Sequence, residues 1–157
     1  SGSVYNNIAY NGGGIYVSGG INNTISGSVY NNSASQKGGG IYVDNSQNLS
    51  ILNSYITNNW STSSVNSVIH LNSTGFLTGL IISNNYIGGD GSSTGIYEDG
   101  SANITGHVLM ANKFVSNTLL VLYRDYANGD LLSINQVNNP SITGATPGST
   151  NNVLTNM

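Results

Sequence analysis

A chain of 157 residues is long enough for one hydrophobic core, and its polarity comes from Ser, Thr, Asn and Gly: charged residues are 6%, where about 25% is ordinary. The net charge is -3, and three basic residues, Lys37, Lys113 and Arg124, cannot build a phosphate-tracking groove, so no nucleic-acid partner is expected. The absence of Cys excludes a disulfide scaffold, and no stretch approaches the roughly 18 apolar residues of a membrane span, Leu119 to Tyr123 being the most apolar.

The chain opens on Gly2-Ser3-Val4-Tyr5-Asn6-Asn7, which leads to Gly12-Gly13-Gly14-Ile15-Tyr16-Val17. The same words return as Gly27-Ser28-Val29-Tyr30-Asn31-Asn32 and Gly38-Gly39-Gly40-Ile41-Tyr42-Val43. Self-similarity at a fixed period marks a solenoid, in which a repeat buries its apolar face only by stacking on its neighbours. One marker series runs Ile15, Ile41, Ile69, Ile96, Leu122, with spacings of 26, 28, 27 and 26. A second runs Val4, Val29, Tyr55, Tyr86, Phe114, with Asn7, Asn32, Asn58 and Asn117 three residues later. Asn135 and Val137 begin a sixth copy.

Between the markers, apolar and polar residues alternate over short runs, as in Ile41-Tyr42-Val43 and Leu49-Ser50-Ile51, so the elements are strands and no helix of consequence is expected. About 26 residues per coil is too few for a four-stranded propeller blade. The sequence therefore predicts an all-β, parallel β-helix of about five to six coils in a single domain. Regular coils cover about 2–138, and residues 139–157, with Pro140 and Pro147 nearby, form an irregular last coil or tail onto which Val153-Leu154 can dock. Stacked coils superpose like residues at about 4.8 Å, so Asn7, Asn32, Asn58 and Asn117 are expected to form a side-chain ladder at one corner.

The Gly-Gly-x-Ile element (Gly13-Gly14-Ile15, Gly39-Gly40-Ile41) with Phe114-Val115-Ser116-Asn117 and its variants resembles the repeats of polymorphic outer-membrane proteins and is similar to archaeal adhesin-like surface proteins. The resemblance covers about residues 2–125. It implies a right-handed β-helix of the broad pectate-lyase type and an adhesive or filament role at the cell surface. The Gly-Gly-x-Ile wording is lost at Ser67-Val68-Ile69 and Leu120-Val121-Leu122.

After the marked strand stands the column Ser18, Asp44, Asn72, Asp99, Asp125. Its three carboxylates are weak Ca²⁺ candidates, although capping turn amides is the commoner use of such residues; no metal or other cofactor is expected. Gly88-Gly89-Asp90-Gly91 has the composition of a calcium repeat but occurs once. Glu98 and Arg124 occupy the position of Val17, Val43 and Leu71, and with Asp99 and Asp125 they are the one cluster an enzyme reading can use; a terminal salt bridge is the simpler account. The aromatic column Tyr16, Tyr42, His70, Tyr97, Tyr123 is expected to face outward, either to bind carbohydrate or a subunit or as a solvated ladder. Asn-x-Ser/Thr sequons stand at Asn22, Asn31, Asn48, Asn59, Asn72 and Asn103, with Asn22 and Asn48 expected to be the most accessible and Asn31 and Asn59 less so.

The function expected from these features is an extracellular, secreted structural or adhesive module of a surface appendage or self-assembling filament, without catalysis. A carbohydrate-active β-helix fragment and a viral or phage fibre module are the alternatives. Because Ser1-Gly2-Ser3-Val4 enters the repeat directly, end-to-end joining of copies through open edges is also expected.

Overall fold

The computed structural model describes residues 2–64, 66–72, 77–90, 92–99, 108–115, 119–121, 131–137 and 153–156, with the backbone alone for 98–99, 109–111 and everything after 115. Its strands follow one another coil by coil. The first coil holds β1 (Gly2–Tyr5), β2 (Ile8–Asn11) and β3 (Ile15–Ser18); the second holds β4 (Thr24–Ile25), β5 (Gly27–Tyr30), β6 (Ser33–Lys37) and β7 (Ile41–Asp44). The third holds β8 (Ser50–Leu52), β9 (Tyr55–Thr57), β10 (Trp60–Ser61) and β11 (Ser67–Asn72), and the fourth β12 (Ile81–Ser83), β13 (Tyr86–Gly88) and β14 (Thr94–Asp99). Then come β15 (Val108–Val115), β16 (Leu119–Val121), β17 (Leu131–Val137) and β18 (Val153–Asn156).

Every strand pairs in parallel with its counterpart one coil away. Three sheets result: a long one containing the order β1-β5-β9-β13-β15-β12-β8-β4, a three-stranded one, β10-β6-β2, and a five-stranded one, β16-β14-β11-β7-β3. The chain is an all-β parallel solenoid of about four turns, some 27 residues apart.

The corners explain why such different wording folds alike. Asn6, Asn31 and Asn58 have φ of 56, 54 and 50°, Asn53 and Asn84 of 49 and 55°, and Asn22 and Asn48 of 58 and 51°, with Gly79 at 64° in the last column. An ordinary L-residue in this left-handed region costs about 1–2 kcal/mol, while Gly and Asn tolerate it. Where Ala111 follows Met110, at the offset of Asn53 and Asn84, β15 spans the corner as one strand of eight residues, with register irregularities against β17 between Met110 and Lys113.

The triple glycine has two separate causes. Gly38 sits at φ +64°, and at Gly39 a Cβ would collide with the backbone of Trp60 on the next coil.

Inside, like residues stack on like. Ile15, Ile41, Ile69 and Ile96 are in register, as are Val29, Ile56, Ile87 and Phe114. With Ile51, Ile82, Val43, Leu71, Leu49 and Leu80 they make one continuous core, buried except at Ile15, which is half-buried against it. Two details differ from the sequence reading. Ile96 pairs with Val121, so Leu122 is not the fifth-coil marker. The inward residues of β9 and β13 are Ile56 and Ile87; Tyr55 and Tyr86 lie on the outer side of the sheet. In the tail, Val153 and Leu154 are registered on Leu131 and Leu132, so this part of 139–157 adds a regular strand.

Candidate binding face

Asn-Asn dipeptides recur at 6–7, 31–32, 58–59 and 84–85, and the two residues of each pair do different work. The first turns the corner in the left-handed region; the second points inward. Asn7 Nδ2 donates to Asn32 Oδ1 at 3.0 Å, and Asn32 Nδ2 donates to Asn59 Oδ1 at 3.0 Å. Each accepting oxygen also receives the backbone N–H of the Asn below it, and the second amide hydrogens of Asn32 and Asn59 go to the carbonyls of Val4 and Val29. Asn85 and Asn112 repeat the arrangement at the corner between β12 and β13, with Asn85 Nδ2 3.0 Å from Asn112 Oδ1. Asn32, Asn59, Asn85 and Asn112 are buried, and the side-chain oxygen and nitrogen of each are hydrogen-bonded to a neighbouring coil.

The ladder therefore runs through Asn59, not Asn58, which is exposed and holds the corner; Asn117 lies outside the described residues. The slip has one cause. Counting from Tyr55 instead of Ile56 shifts the register by one residue, which exchanges inner and outer faces. Asp90 stands three residues after Ile87, at the ladder offset, but its carboxylate turns on its own loop: Oδ1 accepts from Ser92 N (2.9 Å), Ser92 Oγ (2.8 Å) and Ser93 Oγ (2.6 Å), and Oδ2 from Asn66 Nδ2 (3.4 Å). Partial burial pushes this carboxyl up, yet the donors of Ser93, Ser92 and Asn66 outweigh it and hold it at about 2.

The column Ser18, Asp44, Asn72, Asp99 is in register as expected. Asn72 Nδ2 donates to Asp44 Oδ1 at 3.1 Å, so these two are joined to each other by a hydrogen bond. Among the described residues no group of three or more His, Cys, Asp or Glu is placed to hold a metal. Glu98 pairs with Leu71 in register, while Arg124 and Asp125 lie outside the described residues.

The column Tyr16, Tyr42, His70, Tyr97 does stack, with ring centroids 5.2, 5.4 and 5.1 Å apart. It is not an outward display: Tyr42 is 6% exposed and His70 0%, and Ser67 Oγ lies 3.3 Å from His70 Nδ1. Only Tyr16, at 54%, is open, and Tyr123 lies outside the described residues.

Stacked tyrosines with exposed members lie instead on the long sheet, where Tyr5 and Tyr55 are exposed and Tyr30 and Tyr86 half-buried. Tyr5 and Tyr30 stack at 5.1 Å with planes 4° apart, and Tyr55 and Tyr86 stack at 4.7 Å. Lys113 continues the second pair, its Nζ 5.6 Å from the Tyr86 centroid. The two pairs occupy different columns. Tyr30 is registered on Thr57, which is registered on Gly88 and then Val115, whereas Tyr55 is registered on Ser28 below and Tyr86 above. The rings thus step sideways between the second and third coils. Beyond Tyr30 the vacated column forms a notch of about 120 Å³ lined by Thr57, Asn58, Gly88, Gly89 and Val115 and fenced by Tyr55 and Tyr86. The signal for this face was present as Val4-Tyr5 and Val29-Tyr30 followed by Tyr55-Ile56 and Tyr86-Ile87: the tyrosine moves from just after the inward residue to just before it.

Of the sequons, Asn22, Asn31 and Asn48 are exposed; Asn31 is thus more open than expected, because it holds the outer corner while Asn32 turns inward. Asn48 Nδ2 donates to Asn22 Oδ1 at 3.0 Å. Asn59 is fully buried with its amide committed to the ladder, Asn72 is half-buried against Asp44, and Asn103 lies outside the described residues. No helix among the described residues is long and apolar enough to cross a membrane. Comparison with protein-family models, with curated proteins and with solved structures returns no match.

Proposed function

We propose that this chain is a non-catalytic structural and adhesive β-solenoid module of an extracellular, cell-surface appendage or filament. The finer kinship with polymorphic outer-membrane proteins and archaeal adhesin-like surface proteins, and end-to-end assembly with further copies, belong to the same proposal. The observation that carries it is the division of labour among polar residues. Buried Asn amides hold one coil to the next, Asp90 and Asp44 accept from their neighbours, and the outward display is a stepped face of tyrosines. Such an arrangement supports a rigid spacer with a contact surface, and a surface poor in charge changes little with salt.

Two measurements test this. Immunogold labelling of producing cells is expected to place the chain outside the cell, on a surface structure. Incubation with pectin, alginate and related polysaccharides, with and without Ca²⁺, is expected to release no new reducing ends or unsaturated products. Turnover that disappears in Glu98→Gln or Arg124→Ala would overturn the proposal in favour of a carbohydrate-active enzyme.

A further inference from the structure

We propose that the notch over Gly88 is a subsite for one neutral pyranose unit of a glycan. This rests on the adhesive reading above and names its ligand class. The notch exists because the outer column that carries rings at Tyr5 and Tyr30 continues as Thr57, Gly88 and Val115. Three successive coils therefore lack a ring where the two before them have one. At about 120 Å³ it is well below the roughly 300–1,000 Å³ of a site for a drug-sized ligand, so it takes a single ring and leaves the rest of a chain in solvent.

The lining selects the chemistry. Gly88 and Gly89 contribute backbone without side chains, the buried Thr57 turns its methyl toward Gly88, and Asn58 contributes an exposed amide, beside the two rings of Tyr55 and Tyr86. An apolar side chain from a partner would leave the Asn58 amide unmatched. A phosphate or carboxylate would require a cation in the lining, and Lys113 lies over the Tyr86 ring rather than among the lining residues. A ring with C–H faces and a hydroxyl rim satisfies both the aromatic wall and the exposed amide. The wall is also pre-organised: Tyr55 is held by its stack on Tyr86, and the Asn58 N–H is bonded to the Gly88 carbonyl at 3.1 Å, so little ordering cost falls on binding.

The test is native electrophoresis of the whole chain in gels cast with galactomannan, xylan or a β-glucan. The wild type is expected to be retarded in at least one gel. Tyr55→Ala, which opens the wall, and Asn58→Gly, which keeps the left-handed corner but removes the amide, are expected to lose that retardation. Unchanged melting of Asn58→Gly shows that its loss is not unfolding. Tyr16→Ser, on another sheet, is expected to remain retarded, and the matching free monosaccharide (galactose, xylose or glucose) in the gel to restore free mobility. Absence of retardation in every gel, retardation that survives both notch variants, or failure of the monosaccharides to compete would each overturn the subsite. Unretarded protein that still decorates the cell surface removes the notch alone, whereas release of sugar products removes the proposed function.

Discussion

Asn32 donates its side-chain amide to Asn59 Oδ1 at 3.0 Å with both residues fully buried, one coil apart. A buried amide left unmatched costs about 1–3 kcal/mol, and here one substitution strands groups on two neighbours. Asn32→Ala leaves Asn59 Oδ1 with the backbone N–H of residue 32 but without its side-chain donor, takes the Asn32 Oδ1 acceptor from Asn7 N and Nδ2, and removes the amide donor to the Val4 carbonyl. We expect a loss of about 3 kcal/mol in urea denaturation, since the Asn32 backbone N–H recovers only part of the loss. A loss below about 0.5 kcal/mol would show that the ladder is decorative.

The corner Asn makes the opposite prediction. Asn58 is exposed at φ +50°, so its backbone conformation matters more than its side chain. Asn58→Ala is expected to cost about 1 kcal/mol, and Asn58→Gly to stay within about 0.5 kcal/mol of wild type. Equal stability of the two variants would contradict the left-handed corner.

Packing is tested at Ile69, which lies between Ile41 and Ile96 and is fully buried. Ile69→Ala is expected to cost about 3–4 kcal/mol through the cavity it leaves. Ile69→Asp places an unpaired carboxylate in the continuous core and is expected to prevent folding, read as loss of the β-type circular dichroism. Unchanged melting of both variants would refute the register.

Asp90 makes an acid-sensitive contribution to stability. Its folded pKa, about 2, lies below the ordinary 3.8, so the unfolded chain binds the proton first. The stability it contributes is complete above about pH 4 and is lost as pH falls through 3.8 toward 2. Asp90→Asn has no such term. The stability gap between wild type and this variant should therefore narrow on acidification across that interval, measured as urea midpoints; a constant gap would mean that the Ser92 and Ser93 donors do not hold the charged form.

The solenoid was legible because parallel stacking repeats identical chemistry: Ile15, Ile41, Ile69 and Ile96 sit on one another, and the period between them survives changes in the intervening loops. What could not be read from spacing was any register decided by a one-residue choice. Tyr55 and Ile56 are both large and apolar, and only packing places Ile56 inside and the tyrosine outside; Asn58 and Asn59 followed that choice. Val121 and Leu122 posed the same ambiguity. The burial of Tyr42 and His70 had no local signal either, since alternation along β7 and β11 says which side of the sheet a residue takes but not whether that side is covered.

The near-identity of the first two coils also bears on how the solenoid changes length. In β1 and β5 each residue rests on its own copy, Val4 on Val29 and Tyr5 on Tyr30. An incoming β9 therefore meets almost the same partner on either strand. Skipping the second coil roughly doubles the loop to be closed, a penalty of only about 0.6 kcal/mol, so correct order depends on the closure entropy and on the divergent later coils. The same degeneracy makes a whole coil removable: joining Asn7 directly to Ser33 deletes the 25 residues between equivalent ladder positions and recreates the Asn32-Ser33 step at the new junction. Shortening by one unit is therefore a change the architecture absorbs, whereas loss of a few residues within a coil shifts every column above it.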